Sequence, residues 1–547
     1  MKTILVSIDS KYIHTNLAVR YLKANCDFPT EILEFTIKDP QEKIFRTIEN
    51  LKPDIIGFSV YIWNVEIIKK LTSSLKKVLD CIIIWGGPEI SHDSETYFDD
   101  YPIDYIIRGE GELSFNRLIE AIINKKLINT IPNLTYRQAE TLQSTPSQVI
   151  ERLENIKNPY HFPEFISSFP SKVQYVESSR GCPFHCTYCL ASLDNQVRYF
   201  SLERVKEDLS FLMTNGAKTF KFLDRTFNLK SSRVCEVVEF IVANHVAGSS
   251  FQFEISGDIL TDELIDKIHA ISPKDLIRFE IGIQSTNSVS NKAVSRVHNL
   301  DKLFSNIQKI QQADIIDLHL DLIAGLPKED IHSFEDTFNR SFACYAKELQ
   351  LGFLKMLKGT PIRRDADKYG YVYNPLPPYE IIRNKVLTEN DVEELRLVEK
   401  MLNMYWNKGF MDKSMRFITE RVASAFNFFR ELAHFYIDNN FDFSRYQLID
   451  VFLRLNQFLV TRYPEIQVLC FSELKRDYLE YNTFRPKIWW NHKNIHKNDL
   501  LRTYFKTDQT FPLDTLYKYS VVSTYLDKYM IVLYLPDKKV IRYMSLS

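Results

Sequence analysis

The first 125 residues alternate between short, continuous apolar runs and segments whose apolar positions recur at helical spacing. The runs Thr3–Asp9, Glu31–Phe35, Asp54–Val60, Cys81–Gly87 and Tyr105–Gly111 predict strands, and Thr15–Ala24, Pro40–Leu51 and Val65–Val78 predict helices between them. Strands that are apolar throughout are buried on both faces, so the pattern predicts a doubly wound, five-stranded parallel α/β sheet over residues 1–125. Residues 126–172 lose this rhythm. Pro132, Pro146, Pro159, Pro163 and Pro170 punctuate them around a hairpin-like Asn133–Ser144, which predicts a connector.

The alternation resumes at Val173 and runs for six rounds. The strands predicted are Val173–Ser178, Thr219–Leu223, Phe251–Ile255, Ile277–Ile283, Asp317–Ile323 and Leu349–Met356, and the helices are Leu202–Thr214, Ser231–His245, Asp262–Ala270, Leu303–Ala313 and Phe334–Ala346. Such a repeat over residues 173–360 predicts a partial (β/α)6 barrel of the TIM type. Beyond it, Pro375, Pro377 and Pro378 break the pattern. Residues 361–547 read as a mixed, mainly α region that opens with an amphipathic helix, Asp391–Lys408. It ends in a small sheet of Tyr519–Thr524, Met530–Leu535 and Tyr543–Leu546.

Ligands of parallel sheets sit beyond the carboxyl ends of the strands. In the first unit those ends carry Ser10–Asn16, then Ser59, Tyr61, Trp63 and Asn64, then Gly86-Gly87-Pro88-Glu89, then Gly109-Glu110-Gly111-Glu112. Glycines there permit close backbone approach, and the aromatics offer a surface for a flat ligand. Taken alone, these glycines also read as ordinary turns closing βα units. No G-x-G-x-x-G follows the first strand, so a dinucleotide fingerprint is absent.

The first barrel strand runs into Arg180-Gly181-Cys182-Pro183-Phe184-His185-Cys186-Thr187-Tyr188-Cys189, three cysteines at C-x3-C-x2-C. Thiolates on one tight loop ligate soft metal. Structural zinc normally takes four protein ligands from paired elements. No second C-x2-C pair is nearby, and His185 reaches a fourth position only by straining a short loop.

This spacing, with Tyr188 before the last cysteine and the loop placed after the first barrel strand, resembles the radical S-adenosylmethionine (SAM) enzymes. The resemblance implies that Cys182, Cys186 and Cys189 hold a 4Fe-4S cluster whose fourth iron binds SAM. One electron then cleaves SAM to a 5′-deoxyadenosyl radical. Phe222–Asn228, Glu254-Ile255-Ser256-Gly257, Glu280–Ser285 and Asp321–Pro327 resemble the family's later strand ends, implying SAM contacts at Tyr188, Asp224, Glu254, Gly257, Glu280, Gln284 and Gly325. A lone carboxylate at such a place reads equally well as a helix cap or a salt-bridge partner.

The four amino-terminal loops resemble the Rossmann-like (flavodoxin-like) cobalamin-binding domain that precedes many of these enzymes. This implies cobalamin contacts at Ser59, Tyr61, Trp63, Asn64, Gly86, Gly87, Pro88, Glu89, Glu110, Gly111 and Glu112. The Asp-x-His-x-x-Gly motif that gives cobalt a histidine elsewhere is missing, since Asp9–His14 does not fit it, so the resemblance implies cobalamin with its own base detached and no histidine ligand. Residues beyond 360 resemble an uncharacterised carboxyl-terminal domain found on such proteins. The reaction implied is methyl transfer to an unactivated carbon of an unknown substrate, with an electron donor such as flavodoxin or ferredoxin. A radical cyclase or rearrangement enzyme, a cobalamin-independent methylthiotransferase-like tRNA modifier and a zinc-stabilised binding module are the rivals.

Composition adds little that conflicts. The chain has 547 residues, 45% of them hydrophobic, and a net charge of −1, so no overall field draws it to nucleic acid or anionic membrane. The amino terminus lacks signal-peptide features and no run of about 18 apolar residues occurs. Cys26, Cys81, Cys235, Cys344 and Cys470 stand singly, as buried thiols do in a reducing compartment, so the expected location is cytoplasmic. Lys487–Lys506 interleaves Trp489 and Trp490 with Lys487, Lys493 and Lys497. That pattern can stack on single-stranded nucleic acid, but it more often packs its tryptophans inward.

Overall fold

A computed structural model describes residues 1–491 and 496–545; Lys493 of the basic run and Leu546 of the last expected strand lie outside the described residues. The chain forms two compact units, Met1–Asp330 with Gly352–Glu389, and Ile331–Leu351 with Asn390–Ser547.

The first unit contains the amino-terminal sheet and the first five strands of the second sheet. Strands β1 (Thr3–Asp9), β2 (Thr30–Thr36), β3 (Ile55–Ser59), β4 (Ile82–Gly86) and β5 (Tyr105–Ile107) are parallel, in the order β2-β1-β3-β4-β5. Strand β1 is buried along all seven residues because successive side chains enter different cores. Ile4, Val6 and Ile8 pack with Ile44, Ile48, Ile68, Leu71 and Leu75 from the helices Gln41–Leu51 and Val65–Val78. Leu5 packs on the other face with Val19, Phe115, Leu118 and Ile119 from the helices Leu17–Asn25 and Glu112–Asn124. Strand order reverses at β1 and β3, which places a ligand crevice at their carboxyl ends.

The stretch 133–144 does more than connect. It forms strands β6 (Leu134–Gln138) and β7 (Thr141–Ser144), which extend the sheet to seven by antiparallel pairing with β5. Leu134, Thr135 and Tyr136 are buried in this role, covering what would otherwise be an open edge.

The second sheet comprises β8 (Gln174–Val176), β11 (Thr219–Phe222), β12 (Ser250–Ile255), β13 (Ile277–Gln284), β14 (Asp317–Ala324) and β15 (Glu348–Phe353), six strands in sequential order. Between β8 and β11 lies a two-residue ribbon, β9 (Ser179–Arg180) with β10 (Arg198–Tyr199). In β12 and β13 every second residue is buried. Phe251, Phe253, Phe279 and Ile281 form the apolar face, with Phe220 stacked on Phe251 at 4.3 Å. The other face is polar. There Lys221 lies 3.0 Å from Glu280, and Arg278 lies 3.2 Å from His319. An inner face of charged side chains suits a cavity that binds polar ligands.

The second unit is mainly helical, with Asp412–Thr419, Ala425–Asp438, Leu448–Arg462 and Pro464–Tyr481 around buried Phe428, Phe429, Tyr436, Phe452 and Phe458. It ends in an antiparallel sheet of Ser520–Tyr525, Lys528–Tyr534 and Lys539–Ser545. Trp490 is 8% exposed and packs edge-on to Tyr478, Trp489 packs near Phe471, and Lys497 donates to the Tyr517 and Ser520 carbonyls. Trp490 is buried and Trp489 half-buried, both packed against neighbouring aromatic rings. Among the described residues no helix is long and apolar enough to cross a membrane.

Gly87 has φ +126°, and a Cβ built on it would stand 2.4 Å from the Val60 carbonyl oxygen. Gly87→Ala is therefore expected to destabilise the first sheet by about 2 kcal/mol or more. Faster hydrogen exchange in β3 and β4, with exchange in β12 and β13 unchanged, is the measurement that checks it.

Candidate functional site

The three cysteines sit in a hairpin whose base is the β9–β10 ribbon. Gly181 turns the chain out of β9 at φ +91°, and a Cβ there would lie 2.4 Å from the Gln196 carbonyl oxygen, so only glycine fits. The loop is held by its own backbone: Cys182 N–H donates to Asp194 O at 2.8 Å and Cys189 N–H to Cys186 O at 3.1 Å. The Ser192 hydroxyl donates to the Cys186 and Cys189 carbonyls at 2.8 and 2.7 Å. Cys182 and Cys186 are buried and Cys189 is half-buried. All three line one cavity of about 170 Å³. Burial pushes the Cys182 thiol up, so a metal group must displace its proton on binding.

His185 turns away to Asn195, 3.4 Å from its Nδ1, on the exposed side of the loop. Among the described residues no three His, Cys, Asp or Glu side chains converge on a point that would hold a single metal ion. Three thiols spread over one cavity wall, with no fourth protein ligand, suit a cluster larger than one ion that leaves a coordination site open.

The rest of that wall comes from strand ends and the loops after them: Tyr188, Arg225, Glu254, Glu280, Gln284, Arg296, His298 and Asp321. Gln284 ends β13 at φ +66°. Glu280 is held below the usual carboxylate range: burial pushes it up, but the charge and hydrogen bond of Lys221 outweigh that. Arg225 pairs with Glu254. Burial and the charge of Arg296 push His298 down to about 4, so its imidazole is neutral.

Arg296 escapes sequence reasoning. Its guanidinium reaches Tyr188 OH at 3.2 Å and Cys186 Sγ at 3.8 Å, and it donates to the Gly282 carbonyl. An arginine in a short loop after Ala293 has no periodicity or motif to mark it. The one available signal is its place just beyond a barrel strand end.

Three expected SAM contacts lie outside the cavity lining. Asp224 is fully buried and accepts from Ser178 N–H at 2.9 Å and from the Ser178 and Ser179 hydroxyls, each at 2.6 Å. It braces the chain entering the cysteine hairpin, and burial raises its pKa despite those bonds. Gly257 is a packing position, where a Cβ would lie 2.5 Å from Leu303 Cδ1. Gly325, at φ +90°, packs under Ile381 and accepts from Tyr371 OH at 2.8 Å.

At the carboxyl ends of β1, β3 and β4 lies a largely apolar cleft of about 280 Å³. It is lined by Leu5, Leu22, Ile84 and Phe115 together with Ser59, Tyr61, Gly86, Gly87, Pro88, Glu110, Gly111 and Glu112. A third cavity, about 500 Å³, lies between this cleft and the barrel mouth and holds Asp9, His14, Tyr61, Trp63, Tyr175 and Lys221. It shares Tyr61, Glu112 and Arg180 with the cleft, and Arg225 and Glu254 with the cysteine cavity. Tyr61 and Trp63 stack at 4.4 Å, nearly parallel. Burial pushes Asp9 up to about 6. His14 is pushed down by burial and by Lys11 and Lys221, and its Nδ1 lies 2.8 Å from Tyr175 OH.

Of the remaining expected contacts, Asn64 holds its loop through the Ile8 and Ser59 carbonyls, both at 3.0 Å. Glu89 is buried among Tyr379, Lys358 and Tyr97. Neither lines the cleft or the chamber. The apolar cleft thus adjoins a larger chamber whose wall includes the stacked Tyr61 and Trp63 rings.

Residues 4–119 match the B12 binding domain, residues 176–340 the Radical SAM superfamily, and residues 367–526 a protein family of unknown function, DUF4080. An uncharacterized methyltransferase of Pyrococcus horikoshii is 26% identical over 361 residues, which is 63% of this chain and 73% of that protein. The cobalamin-dependent radical SAM methyltransferase TokK of Streptomyces tokunonensis is 22% identical over 369 residues, 64% of this chain but only 54% of the relative. Among solved structures, the cobalamin-dependent SAM radical enzyme OxsB with aqua-cobalamin bound superposes with a TM-score of 0.61 at 15% identity, covering 88% of this chain and 80% of the other.

Replacing the buried carboxylate that anchors the hairpin tests its structural role. Asp224→Asn places an amide among three donors and is expected to cut iron retained after anaerobic reconstitution several-fold. Gln284→Ala, on the cavity wall, is expected to leave iron retention unchanged. Iron analysis after a chelator challenge reads the difference.

Proposed function

We propose that this chain, which joins a B12-binding domain to a radical SAM domain, is a methyltransferase that carries a methyl group from SAM to an unactivated carbon. The observation that supports this most is the run of three adjoining cavities, from apolar cleft through chamber to cysteine pocket, with wall residues in common. When bound, the 4Fe-4S cluster supplies the electron that cleaves SAM, and cobalamin is the methyl carrier.

The chain's own residues hold and orient. Cys182, Cys186 and Cys189 ligate the cluster. Glu254 and Glu280, with Gln284, present acceptors and donors to the ribose hydroxyls and amine of SAM, while Tyr188 and Arg296 close the wall beside Cys186. Ser59, Gly86, Gly87 and Pro88 admit the narrow arm of cobalamin to the cleft, and Tyr61 and Trp63 lie against its flat ring. The substrate takes what remains of the chamber, where neutral His14 and Tyr175 form a hydrogen-bonding edge. Residues 1–125 thus serve cobalamin and 173–360 serve SAM, with 126–172 between them; among the described residues none of 361–547 lines these cavities. A flavodoxin or ferredoxin in the cytoplasm is the fitting reductant for such a site.

Two measurements check this reading. Anaerobically reconstituted protein with SAM and a strong reductant should release 5′-deoxyadenosine, and the Cys182→Ala, Cys186→Ala, Cys189→Ala triple variant should release none. The wild-type protein should also retain cobalamin by its visible absorbance. Deoxyadenosine from the triple variant would sink the radical SAM assignment, and a protein that cleaves SAM but never retains cobalamin would sink the methyl-transfer one.

A further inference from the structure

The base of the cysteine hairpin sets two arginines side by side, and carboxylates from both sheets converge on them. Arg180 and Arg198 are direct cross-strand partners in the β9–β10 ribbon. Like charges placed opposite one another destabilise a strand pair. Here both side chains are largely buried, at 12% and 4% exposure, so water screens them little. All three cysteines lie in the loop that this two-residue ribbon closes.

Asp194 in the hairpin loop pairs with Arg198 at 2.5 Å, and two further carboxylates come from the other sheet. Glu110, in the loop after β5, grips Arg198 with both oxygens, at 3.1 and 3.0 Å, and reaches Arg180 at 3.4 Å. Glu112, the first residue of the next helix, pairs with Arg180 at 2.6 Å. Glu177 on the barrel side adds a contact at 3.0 Å. The Glu110 carboxyl is held below its usual range, because the hydrogen bond from Arg198 and the charge of Arg180 outweigh the upward push of burial. A bidentate arginine–carboxylate pair in a buried setting fixes geometry as well as charge. Removing one partner leaves an uncompensated buried charge.

We propose that Glu110 and Glu112 form a latch that holds the cysteine hairpin shut from the amino-terminal sheet and ties its order to occupancy of the apolar cleft. Both glutamates and Arg180 line that cleft, so a ligand seated there packs against the latch itself. Glu110 is thus a positioning residue for the cysteines, although it belongs to the sheet that lacks them. The coupling half of this proposal rests on cobalamin being the cleft's ligand; the latch half does not.

The test is hydrogen exchange on the full chain, followed in peptides covering residues 181–197, with and without added hydroxocobalamin. In the ligand-free protein Glu110→Gln is expected to speed exchange in the hairpin about tenfold while peptides covering β1 and β13 exchange as in wild type. Arg198→Lys, which keeps the charge and loses the fork, is expected to fall between. Hydroxocobalamin is expected to slow hairpin exchange in wild type and to leave it unchanged in Glu110→Gln. Wild-type exchange in the hairpin of both variants, or disruption spread equally through β1 and β13, overturns the latch. A wild-type hairpin indifferent to bound cobalamin overturns the coupling. Failure of cobalamin to bind at all removes the coupling together with the proposed methyl transfer, and the ligand-free comparison still decides the latch.

Discussion

Two parallel sheets in this chain direct the carboxyl ends of their strands toward one chamber, and a buried cluster of charge spans the gap between them. Arg180 is central to it. It ends β9, immediately before the cysteine loop, and it is paired with Glu110 and Glu112 from the amino-terminal sheet and with Glu177 from the link between β8 and β9. Charge of this kind is costly to leave unpaired away from water, so these ion pairs favour the loop after β5 lying against the cysteine hairpin. Arg180 and Glu112 of this cluster line both the chamber and the apolar cleft.

Each end of this arrangement uses a simple device. In the cleft, glycines remove side chains where the backbone must come close: Gly87 lies against Val60, and Gly57 against Leu5. In the hairpin, Gly181 allows the turn and Asp224 ties down Ser178 and Ser179, so the cysteines are presented by a braced loop. Between them the polar inner face of β11 to β14 supplies paired carboxylates and cations for a ligand to engage. Precision comes from strand ends and their neighbours, and the loops are held by backbone hydrogen bonds.

Much of this was legible from residue order, for physical reasons that differ by element. Strands such as Thr3–Asp9 and helices such as Val65–Val78 stand out because burial on both faces, or on one stripe, leaves a periodic mark. The cysteines stand out because no core needs three thiols in eight residues. Asp224 is ambiguous in sequence because a carboxylate just after a strand looks the same whether it faces a ligand or braces a turn; the structure shows its three donors. Glu89 and Asn64 carry the same ambiguity, since loops at a ligand edge need internal fastening as well as contacts. The hairpin at 133–144 is legible as a hairpin, but its pairing with β5 is not, because the flanking Pro132 and Pro146 set it inside an irregular stretch. Arg296 and the Arg180–Arg198 conflict left no mark, because both arise only when loops far apart in sequence meet.

If one chamber joins a cobalamin seat to an iron–sulfur seat, anaerobically grown crystals of the reconstituted protein will show it in anomalous scattering at the iron and cobalt absorption edges. Iron is expected at Cys182, Cys186 and Cys189, and cobalt within the chamber bounded by Tyr61, Trp63 and Arg225. Cobalt bound elsewhere on the chain, or iron at the cysteines with the chamber empty of cobalt at saturating cobalamin, would contradict it.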